Sequence, residues 1–377
     1  MGALVNRLFG IPVGRDDLRR LAGSPEQVLG AELFERADGR ERGVRVVRLR
    51  SGACEVEVVV DRALDISHAS VGGVPVAWIS PTGVASPALA DPHGWGTFAT
   101  FFGGLLTTCG LDHALGPTED AAPWFDYPGQ PTRSWPLHGT LSATPARLTG
   151  HGIDWDAAEP AVFVRGEVRQ ATVFGAALTL ERELRIALGG TTLTVRDRVR
   201  NVGHAPTPHM ALYHVNAGWP LVGEGAEIVA AVDEPRVATP AAAGADWRAI
   251  VAPAQGVAEQ VWEHAPRADG AGRGLAAVLN DDIGDGRALG LAVEWDLASL
   301  PRLFQWRVMS ETNYVVGLEP GNLELEGRHA ARDAGRLVVL EPGAVIDHAL
   351  DIHLLLGDPV RDLRRRVAMH GRVRDGG

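Results

Sequence analysis

Two histidines and one glutamate, each set in an apolar stretch, could carry chemistry in this chain. They are His138 in Leu137-His138-Gly139, His214 in Tyr213-His214-Val215-Asn216 and Glu319 in Gly317-Leu318-Glu319-Pro320. Imidazole and carboxyl groups move protons near neutral pH, and apolar neighbours tune their proton affinities by desolvation. Each residue also has a plainer reading. A lone strand histidine more often completes a core or a surface, a histidine before glycine can bond a turn carbonyl, and a glutamate before proline can mark a solvated strand end. Asn216 shares a strand face with His214 under the two-residue period, which places a second polar group beside that imidazole.

Other residues could bind rather than react. Arg62 and Asp65, in Asp61-Arg62-Ala63-Leu64-Asp65-Ile66, follow a hydrophobic strand. They read either as an internal ion pair or as a guanidinium and carboxylate that hold substrate oxygens. Trp306, in Phe304-Gln305-Trp306-Arg307, is either core or a platform for the apolar face of a sugar. Asp282 and Asp285 lack the closing glutamate of a calcium loop and read as an acidic turn.

Composition removes several classes of function. All 36 basic side chains are arginine, so there is no Schiff-base lysine and no Walker-type phosphate lysine. A formal net charge of -11 argues against a nucleic-acid partner, which needs a basic face. Cys54 and Cys109 have neither metal-ligand nor redox spacing, and Cys109 reads as a small buried hydrophobe. No signal-like apolar run opens the chain, and no window reaches the ~18 apolar residues of a membrane span. The expected location is the cytoplasm.

The elements that must position these groups are strands. Residues 44–50, 55–60, 161–169 and 191–199 alternate or run β-branched between glycine-rich breaks. Gly189-Gly190 joins 176–188 to 191–199 as a hairpin. Further strands are expected at 289–295, 303–308, 314–318, 337–340 and 346–355, with short helices at 16–21 and 360–369. The 46 glycines and 24 prolines suit a chain that turns often. The expected fold is all-β: a large antiparallel sandwich with few short helices, forming one domain over 1–377. Residues 80–136, with Trp95, Trp124 and Trp135, read as a long ordered loop covering a site. Residues 230–258 read as a surface excursion.

Taken together, Asp61-Arg62-Ala63-Leu64-Asp65-Ile66, Gly103-Gly104-Leu105-Leu106-Thr107-Thr108-Cys109-Gly110-Leu111, Leu137-His138-Gly139, Leu212-Tyr213-His214-Val215-Asn216 and Tyr314-Val315-Val316-Gly317-Leu318-Glu319-Pro320-Gly321-Asn322 resemble the aldose 1-epimerase (galactose mutarotase) superfamily. The resemblance spans about residues 25–355. It implies a sandwich with an open concave face for a monosaccharide, no cofactor and no metal. It also implies Glu319 as base, His214 as acid and His138 as an assisting donor. The family's early arginine-asparagine pair is not evident in 103–111, Thr140 replaces its second glycine after Leu-His-Gly, and its histidine-to-asparagine spacing is compressed here. Alternatives stay open: epimerisation or elimination on an oxidised sugar, a metal held by His138, His214 and Glu319, or sugar binding without turnover.

Overall fold

The computed structural model describes residues 4–122 and 131–370, and Trp124 lies outside the described residues. Two large antiparallel sheets face each other. In one, the central strands run Gln260–His264, Arg302–Met309, Tyr314–Gly321, Leu212–Ala217, Leu106–Cys109, Asp65–Val71 and Cys54–Val59, in spatial order. The second sheet is eight-stranded, and its core is Ala161–Ala171, Ala177–Ala187, Thr192–Asn201, Val345–Leu356, Leu289–Asp296 and Arg273–Asn280.

Alternation decides which side chains meet between the sheets. In Thr192–Asn201, Leu193, Val195 and Val199 point inward while Arg196, Arg198 and Arg200 point out. In the facing sheet Tyr213, Val215, Val316, Leu318, Leu303 and Met309 join the same core, so their neighbours in sequence face the other way. The expected hairpin forms through Gly189-Gly190, with Leu184 opposite Val195 and Ile186 opposite Leu193.

Between the sheets lies a buried ionic cluster. The Arg182 guanidinium donates to Asp197 at 2.6 Å, to Asp65 at 3.1 Å and to the Thr108 hydroxyl at 2.9 Å, and the Tyr213 hydroxyl donates to Asp197 at 2.7 Å. A buried charge needs such pairing to persist. The cluster ties three strands of one sheet to two of the other, directly beneath the strand that carries His214.

Helices Arg15–Leu21 and Asp358–His370 match the expected ends of the chain, and a third, Gly327–Asp333, has no apolar period to announce it. The 80–136 stretch is less irregular than its composition suggests, because Leu106–Cys109 is a central strand paired with Leu212–Ala217. Nor does 230–258 lie wholly on the surface: Trp247 is buried, and its carbonyl accepts from the Gln305 amide at 2.7 Å.

Candidate functional site

The outward face of the larger sheet forms the floor of a cavity of about 550 Å³. Val261 projects from one strand, Phe304, Trp306 and Val308 from the next, Glu319 from the third and His214 from the fourth. Loop residues Trp78, Ser80, Thr82, Trp95, Phe98, Phe101, Leu115 and His138 form the walls.

Register brings the reactive groups together. Val215 pairs with Leu318 and Leu212 with Gly321, so His214 stands opposite Glu319 on adjacent antiparallel strands. His214 Nε2 and Glu319 Oε1 are 3.1 Å apart and both residues are buried. The approach is close without being a formed hydrogen bond, since Oε1 has no aligned partner. Space for this meeting comes from Gly317 between them. A Cβ there would lie 2.7 Å from Glu319 Oε1, 3.0 Å from His214 Cε1 and 3.3 Å from Trp306 Cε3. A glycine inside a strand often marks such an approach.

His138 arrives from a loop. Its backbone is left-handed (φ 61°), uncommon for a residue with a Cβ, and is fixed by its N–H donating to Leu115 O at 2.8 Å and its carbonyl accepting from Gly110 N–H at 3.1 Å. Gly139 follows at φ 72°, where a Cβ would meet two backbone oxygens within 2.6 Å. The His138 ring stands nearly perpendicular to that of His214, with centroids 6.0 Å apart. Phe101 and Trp306 flank His214 edge-on at 5.4 and 5.3 Å.

This aromatic enclosure sets the electrostatics. Burial pushes His214 down to about 4 and His138 down to about 3, the latter helped by the neighbouring imidazole. Burial, with the Glu259 carboxylate nearby, pushes Glu319 well above the usual carboxyl range. Desolvation therefore favours the neutral form of each of the three groups. Among the described residues no arginine lines the cavity.

Trp306 lines the cavity, with its indole N–H donating to Glu259 at 3.0 Å and its ring edge-on to Trp78 at 6.0 Å. Three other residues expected to bind substrate do not reach the cavity. Arg62 is buried, bonding the carbonyls of Ser142, Ala85 and Thr100 and lying over the Phe102 ring. Asp65 is fully buried in the ionic cluster, where its guanidinium partner is Arg182. Ala63 and Leu64 adopt left-handed backbone and turn that segment into the space between the sheets. Asn216 does share the His214 face but does not line the cavity: its Nδ2 donates to the carbonyls of Gly104 and His214, and its side chain acts on the His214 imidazole from behind, raising its proton affinity against the effect of burial.

Sequence reasoning missed Trp78 and Glu259. Trp78 sits in an irregular segment, but the glycines that make room for it were a signal: a Cβ at Gly103 would come within 2.5 Å of its ring, and one at Gly218 within 2.8 Å of its backbone. Glu259 falls at the edge of the segment read as surface and had no signal. Cys109 is buried with Met210, Leu212 and Phe304, a packing role. Asp282 caps its own turn by accepting from the N–H groups of Gly284 and Gly286. Among the described residues no three histidine, cysteine or acidic side chains converge as a metal site, and no helix is long and apolar enough to cross a membrane.

Two facing antiparallel sheets with an aromatic cavity on the outer face of one define a galactose mutarotase-like fold. The chain is similar to the structure of a "putative aldose 1-epimerase" from Klebsiella pneumoniae, with a TM-score of 0.80 and 25% identity, over 90% of this chain and 87% of that one. It shares its fold with a galactose mutarotase-like protein from Clostridium acetobutylicum, with a TM-score of 0.56 and 12% identity, over 88% and 99% of the two chains. By sequence the chain belongs to the family described as a domain of unknown function, DUF4432, whose family model matches residues 41–354. A comparison with curated proteins finds no match.

Proposed function

We propose that the protein interconverts the anomers of a free, uncharged aldose by acid–base opening and closing of the sugar ring. The observation that carries this reading is the close pair His214–Glu319, buried at the floor of an aromatic cavity with His138 across from it. The likeness to the "putative aldose 1-epimerase" from Klebsiella pneumoniae, and the fold shared with the galactose mutarotase-like protein, support it.

Mutarotation needs one group to give a proton and another to take one, with no net change. In the resting pair the proton resides on Glu319, because burial disfavours both the carboxylate and the imidazolium. The Glu319 carboxyl then protonates the ring oxygen while His214 removes the proton of the anomeric hydroxyl. The bond from C1 to the ring oxygen breaks and the C1 carbonyl forms. After rotation about the neighbouring carbon–carbon bond, the hydroxyl attacks the other carbonyl face, returns its proton to Glu319, and His214 protonates the new anomeric oxygen. The resemblance implies the opposite starting protonation. Both assignments use the same pair and a single shared proton, and desolvation favours this one. His138, held neutral, donates or accepts a hydrogen bond from the other side of the ring.

With Glu259 on the lining and no arginine there among the described residues, none of them balances a phosphate or carboxylate. Neutral sugars are the matching class, which weighs against an oxidised-sugar lyase. The test is anomer exchange, followed by saturation-transfer NMR and polarimetry on freshly dissolved aldoses. Acceleration over buffer for at least one neutral aldose, and none for its 6-phosphate or uronic acid, is the expected result. Exchange no faster than buffer across the panel would defeat the proposal.

A further inference from the structure

The cavity has two aromatic platforms rather than one. The inner group, Trp78, Phe101 and Trp306, packs around His214. The outer group is Trp95 and Phe98, whose rings stack with centroids 5.7 Å apart and planes 10° from parallel. Both outer rings line the same cavity, yet Trp95 is 61% and Phe98 58% exposed. Single exposed rings such as Trp219 and Phe9 are ordinary, whereas an exposed aromatic pair stacked at a cavity mouth suits a ligand that covers it.

The outer pair is also held in place. Trp95 and Phe98 sit at the short 3₁₀ helix Gly96–Ala99, where Phe98 N–H donates to Trp95 O at 3.1 Å. The Thr97 hydroxyl donates to Leu137 O and Leu137 N–H to Gly94 O, each at 2.9 Å. The turn that displays the stacked rings is therefore tied on both sides to the residue preceding His138. A platform fixed to the reactive loop presents its face at a set distance from the inner site, with little ordering cost on binding.

Volume agrees with a ligand larger than one ring. A hexose occupies on the order of 200 Å³ at the packing density of organic solids, well under half of the space, whereas the cavity holds about 550 Å³. We infer that Trp95 and Phe98 form a second sugar subsite, so that the preferred substrate is a neutral reducing disaccharide with its reducing ring at His214 and Glu319. The C–H face of the second pyranose, with its partial positive hydrogens, lies on the negative π face of Trp95. The location of the reducing ring rests on the function proposed above. The subsite itself rests on the stacked pair and its anchoring.

Binding and turnover separate the two claims. Maltose, cellobiose and lactose are compared with glucose and galactose by isothermal titration and by anomer exchange, in the wild type and in Trp95→Ala and Phe98→Ala. Because both side chains are exposed, these variants should fold, and thermal melts verify it. At least one disaccharide is expected to bind about tenfold more tightly than its component monosaccharide, an increment the size of one good aromatic contact. Trp95→Ala should bring that ratio close to one, and Phe98→Ala should reduce it by less. Equal affinity for mono- and disaccharides in the wild type overturns the subsite while leaving the proposed function standing if exchange is accelerated. A ratio unchanged by Trp95→Ala overturns it as well, as does the absence of binding by every sugar. Disaccharide binding that depends on Trp95 without any acceleration of exchange upholds the subsite and defeats the mutarotase reading.

Discussion

A single methyl group placed at Gly317 should separate catalysis from stability. In Gly317→Ala the new Cβ would sit 2.7 Å from Glu319 Oε1 and 3.0 Å from His214 Cε1, both inside the ~3.5 Å of an ordinary contact. Gly317 has no left-handed backbone, so alanine suits its strand conformation. Relief must come from the side chains, with the carboxyl and imidazole retreating by about 0.5–1 Å. A misplacement of that size in a proton-transfer pair costs about 10²-fold in rate. Overpacking costs about 1–3 kcal/mol, and replacing a strand glycine returns about 0.5–1 kcal/mol. The net change is thus a loss of about 0–2.5 kcal/mol, a shift of a few degrees in Tm for a large chain. The comparison variant is Gly290→Ala in the other sheet, where a Cβ would press on Leu279 Cδ2 at 2.9 Å, away from the cavity. Anomer-exchange rates and thermal melts on both should show similar small shifts in Tm, with kcat/KM falling about 10²-fold for Gly317→Ala alone. Near-normal exchange in Gly317→Ala, or equal losses in the two variants, would refute the claim that the His214–Glu319 spacing governs the reaction.

Glu319→Gln and His214→Asn should each lose most turnover, on the order of 10²–10⁴-fold, while His138→Asn loses less; kcat and KM for the three variants decide the order. Arg182→Met would leave Asp65 and Asp197 buried without their cation and should destabilise by about 3–5 kcal/mol in urea melts, an effect that Asp197→Asn in the same chain should partly reverse. Acid should unfold the protein early through the buried pair His209 and His348, whose Nε2 atoms lie 2.9 Å apart. Burial lowers His209 to about 3 and His348 to about 4, so the unfolded chain takes up protons first. Their contribution is therefore complete above about pH 6.5 and lost as pH falls from there toward 4, at about 1.4 kcal/mol per unit for each proton taken up. Denaturant melts between pH 7 and 4.5 should show this slope, and His348→Asn should reduce it.

The sandwich was legible because it rests on local signals: alternation in 191–199 and 161–169, the Gly189-Gly190 break, and apolar runs such as Leu289–Asp296 that become strands buried on both faces. That His138, His214 and Glu319 would come together was legible for a related reason. A polar group inside an apolar strand is costly unless it is used, and all three stood in such surroundings. That reasoning could not tell which side of the sheet a polar residue faces. Arg62 and Asp65 satisfied the same criterion as Glu319, yet they turn inward, because the deciding partner, Arg182, lies on the opposite sheet and no short-range pattern connects them. The starting protonation was hidden in the same way. From sequence a glutamate and a histidine suggest carboxylate and imidazolium, their forms in water. The closure of Phe101, Trp306 and Trp78 around the pair removes water and favours the neutral forms, and Phe101 and Trp78 come from segments far from either residue. What the sequence withholds is thus the identity of the groups that meet across the fold. In this protein those distant partners decide both which charges serve the framework and which groups of the cavity floor are driven toward their neutral forms.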